Sequence, residues 1–110
     1  MPAEYVHIDD QEYSKAVTSL IKGAKKCVYI EQFQFDRKDY IDLLVAQAKQ
    51  GVEVKVLLDN SVKSNKTTYD YLRANGVSVQ YYPTQKGQSA RAKLIAVDNT
   101  RSIIAGNDWY

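Results

Sequence analysis

Arg91 and Lys93 stand two residues apart in the stretch Ala90-Arg91-Ala92-Lys93-Leu94-Ile95-Ala96-Val97-Asp98. The apolar, alternating middle of that stretch reads as a strand, and residues two apart on a strand share a face. Two cationic donors therefore sit side by side where the strand begins, with Ile95 and Val97 continuing their face. A guanidinium offers two parallel N–H bonds to one phosphate and an ammonium offers a compact charge, so the pair suits gripping a phosphate. The alternative use of such a pair is to charge an edge strand against aggregation. Asp98 lies five residues past Lys93, roughly 16 Å along a strand at about 3.3 Å per residue, and on the opposite face. That makes it a turn or anchoring carboxylate rather than a partner in the same chemistry.

The elements that must position these residues follow from periodicity. Asp98-Asn99 reads as a tight turn and Ser102 to Ala105 as the returning strand of a hairpin. Upstream, Tyr5 to Ile8 alternates as a short strand, and Asp9-x-x-Glu12 has the form of a capping box. Tyr13, Ala16, Val17, Leu20, Ile21 and Ala24 then recur at helical spacing, with Lys22, Lys25 and Lys26 at the end where cations favour the dipole. Cys27 to Phe35 predicts a second strand. A helix capped by Asp36 or Asp39 carries Ile41, Leu44, Val45 and Ala48 inward and stops at Gly51. Val52 to Leu58 predicts a third strand, about Asn65 to Asn75 a third helix with Tyr69 and Leu72 inward, and Val77 to Tyr82 a fourth strand. The expected fold class is α/β: a mixed, mostly parallel sheet flanked by helices, with a C-terminal β-hairpin.

At 110 residues the chain suits one domain. Hydrophobic residues make up 45% and charged residues 25%, which fits a folded chain and excludes a disordered one. Apolar runs are strand-sized and no leader-like N-terminus is evident, so neither a membrane span nor a signal peptide is expected. The single cysteine, Cys27, excludes an internal disulfide and a cysteine-rich zinc site and suits a reducing, cytoplasmic setting. Charge is uneven. Residues 1–59 carry eight Lys/Arg against ten Asp/Glu, whereas residues 60–101 carry seven against two. A segment this basic favours an anionic partner such as a phosphodiester.

Lys93-x4-Asp98, the two apolar strands around it and the closing Ala105-Gly106-Asn107-Asp108-Trp109 resemble the phospholipase D superfamily, whose signature is H-x-K-x4-D followed by a G-S-x-N-like segment. The order of strands and helices before the motif matches as well, including Gly51-Val52-x-Val54-x-Val56-Leu57-Leu58-Asp59. One departure matters: Arg91 stands where the family has its nucleophilic histidine. The resemblance implies a metal-independent phosphodiesterase with no cofactor, in which Lys93 and an asparagine hold phosphate oxygens and Asp98 completes the motif. The asparagine falls on Asp108 when Trp109 is aligned, or on Asn107 with a shift of one. Asp108 facing the site would oppose a phosphate or pair with Arg91. A guanidinium with a pKa above about 12 has no free lone pair to attack phosphorus, so the resemblance implies little or no hydrolysis while phosphate or nucleic-acid binding persists. It also implies a second half, supplied by homodimerisation or by a longer chain. Residues 1–110 are accordingly read as one half domain, either a fragment of a longer protein or a member truncated at its C-terminus.

Other polar residues have plainer readings. His7, the only histidine, is far in sequence from the motif and suits a structural place. Gln32 and Gln34 share a strand face and read as core-edge packing, with polar positioning at the strand end as the alternative. Tyr13, Tyr40 and Tyr69 fall on apolar helix faces rather than on a base-stacking surface. Two further functional classes are weighed: a receiver-like phosphoacceptor domain using Asp9, Asp10, Asp59 and Lys93, and an interaction scaffold without a ligand site.

Overall fold

The computed structural model describes residues 10–82 and 93–102, with side chains over 11–82 and 94–99. The elements run α1 (Asp10–Lys22), β1 (Cys27–Gln32), α2 (Lys38–Lys49), β2 (Glu53–Asp59), α3 (Asn65–Ala74), β3 (Ser78–Tyr82), β4 (Lys93–Val97) and β5 (Thr100–Ser102). The predicted strand at Tyr5 to Ile8, the Asp9 cap and the far end of the hairpin beyond Ser102 lie outside the described residues.

The strands form one sheet in the order β3-β2-β1-β4-β5. Pairings β1–β2 and β2–β3 are parallel, whereas β4 is antiparallel to both β1 and β5. Only β4 therefore runs against the other strands, and the mostly parallel α/β architecture expected from the alternation is present. The antiparallel β1–β4 pair also removes the receiver-like alternative, which requires a fully parallel sheet.

Alternation decides which face is covered. Val28, Ile30, Val54, Val56, Leu58, Val79 and Ile95 are buried against Tyr13, Val17 and Ile21 of α1, Tyr40, Ile41, Leu44 and Val45 of α2, and Leu72 of α3. Consecutive β1-α2-β2-α3-β3 crossovers of one hand place α2 and α3 on the same face, and α1 packs against α2. The opposite face carries Tyr29, Glu31 and Leu57 half-buried and Lys55, Ser78 and Gln80 exposed, and no helix among the described residues covers it. Each fully buried aliphatic side chain in this core contributes about 1.5–3 kcal/mol.

A glycine follows the end of both α2 and α3, Gly51 as the expected stop and Gly76 in the same role. Gly51 has φ +93° and Gly76 φ +85°, a region that costs a side chain energy and glycine none. After each helix the pattern is the same: Gly51 N–H donates to the Ala48 carbonyl and Val52 N–H to that of Gln47, while Gly76 donates to Arg73 and Val77 to Leu72. Each orphan carbonyl pair is thereby satisfied, and the buried Val52 and Val77 that follow seal the turn.

Three expectations about element ends are corrected. α1 ends at Lys22, so Lys25 and Lys26 lie in the connection to β1 rather than in a last helical turn. Neither Asp36 nor Asp39 caps α2. The cap position is Arg37, without a side-chain cap bond, because the Asp39 carboxylate is held by the Arg37 guanidinium at 2.6 and 3.1 Å. β1 stops at Gln32 rather than Phe35, for a reason that belongs to the site below. Among the described residues no helix is long and apolar enough to cross a membrane.

Candidate phosphate site at the carboxyl ends of the strands

Strand register lays four residues across the carboxyl end of the parallel strands. Lys93 of β4 pairs with Gln32 of β1, Gln32 with Leu58 of β2, and Leu58 with Tyr81 of β3. The row beneath is Ile95, Ile30, Val56 and Val79, all buried. The apolar pattern of the covered face thus breaks in the upper row, and only on β1 and β4, where Gln32 and Lys93 stand. This is also where the chain order reverses, since β1 has β2 on one side and β4 on the other. Open α/β sheets bind ligands at such a switch point.

The loops around this point are fastened by Asn65, the first residue of α3, which is fully buried. Its amide donates to the Phe33 and Asp59 carbonyls, each at 2.9 Å, and its oxygen accepts the Phe35 N–H at 2.9 Å. The buried Thr68 hydroxyl donates to the Phe35 carbonyl, and Gln34 donates to the Ser64 hydroxyl at 3.3 Å. These bonds draw residues 33–35 toward α3, which ends β1 three residues earlier than its sequence suggests.

Beside this clamp, Asp59 closes β2. It is 1% exposed and accepts the Ser61 N–H at 2.7 Å and the Ser61 hydroxyl. Tyr82, its register partner on β3, is pushed up to about 12 by burial first, then by the charge of Asp59 and a hydrogen bond to it, and by Glu31. The phenol therefore stays protonated across the physiological range. Glu31 in turn accepts the Tyr29 hydroxyl at 2.5 Å.

Asp98 is at the other end of β4. Asp98 and Asn99 have φ of 52° and 68° and form the two-residue hairpin turn, where asparagine and aspartate tolerate left-handed backbone better than most residues. The Asp98 carboxylate receives the backbone N–H groups of Lys25 (2.9 Å), Lys26 (2.6 Å) and Cys27 (3.0 Å). Its own N–H donates to the Cys27 carbonyl at 2.9 Å. These backbone donors, Lys25 first, hold its carboxyl below the ordinary range. The geometry separates Asp98 from Lys93 by the length of β4 and employs it as an anchor, the use that its five-residue offset suggests.

Arg91, Asn107 and Asp108, and also His7, lie outside the described residues. Of the residues singled out in sequence, the structure brings Lys93 into register with Gln32 and leaves Asp98 at the far turn. Sequence reasoning did not single out Asn65, Thr68 or Ser61. The only local signal for Asn65 is an amide at the start of a helical stretch, which reads as an ordinary cap.

The domain family described as cardiolipin synthase, PLD-like domain, matches residues 17–109. A search of curated proteins finds no significant match. Among solved structures, the chain is similar to Nuc from Salmonella typhimurium, a phospholipase D family member, with 28% identity and a TM-score of 0.66 over 78% of this chain and 57% of that one. NucT from Helicobacter pylori shares the fold at 21% identity and a TM-score of 0.67, over 80% of this chain and 61% of that chain. Polyphosphate kinase from Porphyromonas gingivalis does so at 19% identity and 0.60, covering 86% of this chain and 16% of its own. The chain thus spans less than two thirds of the length of these structures. With the motif strand in register at the switch point and the family match running from α1 through the motif, the chain belongs to the PLD-like domain family of the phospholipase D superfamily.

Proposed function

We propose that this chain is a phosphodiester-binding half of a phospholipase D-like phosphodiesterase, of the nuclease-related kind, in which hydrolysis is silenced at Arg91. The observation that carries the reading is the placement of Lys93 beside Gln32 at the carboxyl end of β1, on a strand whose other end is fixed by Asp98. Lys93 and Arg91 supply charge and donors to one phosphate, and Asn107 or Asp108 completes the set. An in-line attack on phosphorus needs a nucleophile with a free lone pair at neutral pH, and arginine has none. The ligand is a nucleic acid rather than a lipid. The excess of seven Lys/Arg over two Asp/Glu in residues 60–101 supports that choice. A second half, from another copy of the chain or from a longer polypeptide, supplies the opposing motif, and a cytoplasmic setting suits the single cysteine.

The test is hydrolysis of a chromogenic phosphodiester and of single-stranded DNA in the presence of a metal chelator, comparing the chain with Arg91→His. Cleavage by the variant alone is expected. Cleavage by the unaltered chain would refute the silenced site and require another nucleophile. A folded variant that neither cleaves nor binds DNA would refute the phosphodiester reading itself.

A further inference from the structure

β3 closes the sheet on one side, and among the described residues no strand pairs with its outer edge. Such an edge presents backbone N–H and C=O groups without ladder partners, and folded chains protect it with lysine, proline or a bulge. Ser78, Val79, Gln80, Tyr81 and Tyr82 include no charge and no proline. Instead a groove of about 310 Å³ lies between this edge and α3, lined by Tyr69, Arg73, Val77, Ser78, Val79 and Gln80. Val79 is buried on the covered face, whereas Ser78 and Gln80 are exposed on the open one, so the groove passes the edge of the strand itself. Beside it the Tyr69 and Tyr81 rings stack with centroids 4.5 Å apart. The Arg73 guanidinium carbon is 6.0 Å from the Tyr69 ring centre, and Nη1 donates to the Tyr69 hydroxyl at 3.1 Å. A cation in the last turn of α3 suits the helix dipole. Yet the side-chain bond of Arg73 goes to Tyr69, four residues back, and not to the terminal carbonyls. A guanidinium has five N–H donors, and no ion pair among the described residues includes Arg73.

We propose that this edge binds an extended acidic peptide segment, which joins the sheet as a further strand outside β3 and sets a carboxylate against Arg73. Strand addition of this kind takes its affinity from main-chain hydrogen bonds and its specificity from alternate side chains. The edge offers donors and acceptors in alternation, and a peptide backbone answers both. A nucleic-acid backbone has no N–H for the carbonyls. A second copy of the chain paired edge to edge would bring a second Arg73 to the same interface, whereas a carboxylate meets the guanidinium fork bidentately. Side chains two apart on a strand share a face. With its carboxylate beside Val79, the segment therefore lays an apolar side chain two residues away against the Tyr69–Tyr81 stack. The surface stands three strands from β4 and is separate from the phosphate site.

The experiment titrates the full chain into a fluorescein-labelled peptide of alternating threonine and valine with one central glutamate, followed by anisotropy, and into a matched peptide with glutamine in its place. The glutamate peptide is expected to bind about tenfold more tightly, as for a hydrogen bond to a charged group. Because the peptides are exchanged on the unaltered chain, that comparison does not depend on a variant folding. Arg73→Gln is expected to bring the two peptides to equal affinity and to leave the glutamine peptide unchanged, which loss of a merely structural arginine would not do. With the glutamate peptide bound, the backbone amides of Val79, Gln80 and Tyr81 are expected to shift and those on the outer edge to exchange more slowly with deuterium. Equal affinity of the two peptides for the unaltered chain, or failure of both to bind, overturns the proposal. A tenfold preference retained in folded Arg73→Gln, or binding without added protection on β3, does the same. Two further results overturn it by naming another occupant: a single-stranded oligonucleotide that shifts these amides where the peptide does not, and protection that grows with protein concentration rather than with peptide.

Discussion

Removing the Asn65 side chain should loosen the carboxyl end of the sheet more than any other single polar change among the described residues. The side chain is fully buried and makes three bonds to backbone, to the Phe33 and Asp59 carbonyls and from the Phe35 N–H. Leaving a buried polar group unpaired costs about 1–3 kcal/mol. With partial relief as water enters, Asn65→Ala should lose roughly 3–5 kcal/mol. That is a large share of the ~5–15 kcal/mol that holds a domain folded. In urea the midpoint should fall by about 2 M, for a dependence of about 1–3 kcal/mol per M. Asn65→Asp separates the contributions, because it keeps the acceptor for Phe35 and turns the donor into an oxygen facing two carbonyls. Its folded-state pKa must rise, since burial and the carbonyls both oppose the charge. A raised folded pKa gives stability that is present below the unfolded value near 3.9 and lost as pH rises through the folded value. Asn65→Asp should therefore be at least as unstable as Asn65→Ala at neutral pH and approach the parent near pH 4. Urea unfolding followed by circular dichroism at both pH values measures this. A cost under about 1 kcal/mol for either variant at neutral pH would refute the assignment of Asn65 as the clamp.

Two further outcomes follow from the same bonds. Asp98→Ala should speed hydrogen exchange at the Lys25, Lys26 and Cys27 amides and at the β4–β5 hairpin while sparing the α2 core. In the parent those amides should lose protection as acid protonates Asp98, at a pH below the usual carboxylate range, because a lowered folded pKa gives stability that is lost as pH falls through it. Unchanged exchange at these amides in Asp98→Ala would remove the anchor. Gln47→Leu, which keeps the volume, strands the carbonyls of Ile21, Lys22 and Ala24 that the Gln47 amide now serves at 2.6, 3.1 and 3.3 Å. It should cost about 1–3 kcal/mol in urea unfolding, and a neutral or stabilising result would show that water serves those carbonyls equally well.

What could be read from the sequence was set by short-range physics. The helices announced themselves through apolar spacing and their glycine stops, and the strands through alternation, because both are properties of neighbours along the chain. Tyr13, Tyr40 and Leu72 were placed inward on the same ground and are buried. The end of β1 is not legible, because Asn65 takes up Phe33 and Phe35 across 32 and 30 residues. Gln47 reads on the helix as an ordinary polar residue, yet it serves the end of α1 some 26 residues away. Asp36 or Asp39 reads as the cap of α2, and nothing in that spacing says that Arg37 holds the Asp39 carboxylate. In each case a polar side chain chose a partner distant in sequence or a stronger local charge, and periodicity records neither.

The distance between Lys93 and Asp98 has a physical meaning that neither residue has alone. A strand slipped by one residue against its neighbour turns every side chain to the other face. Were β4 displaced by one along β1, Leu94 would come opposite Gln32 and Lys93 would leave the row at the switch point. Register in β4 therefore determines whether Lys93 or Leu94 stands opposite Gln32. Apolar alternation resists the slip only through Ile95 and Val97, two residues of a strand of five. The Asp98 carboxylate, bonded to three consecutive N–H groups at the start of β1, resists it directly, since those donors exist in that arrangement at one position. An aspartate at the far end of the strand thus fixes which row Lys93 occupies in the β1–β4 register, and the four residues between them form the spacer through which it does so.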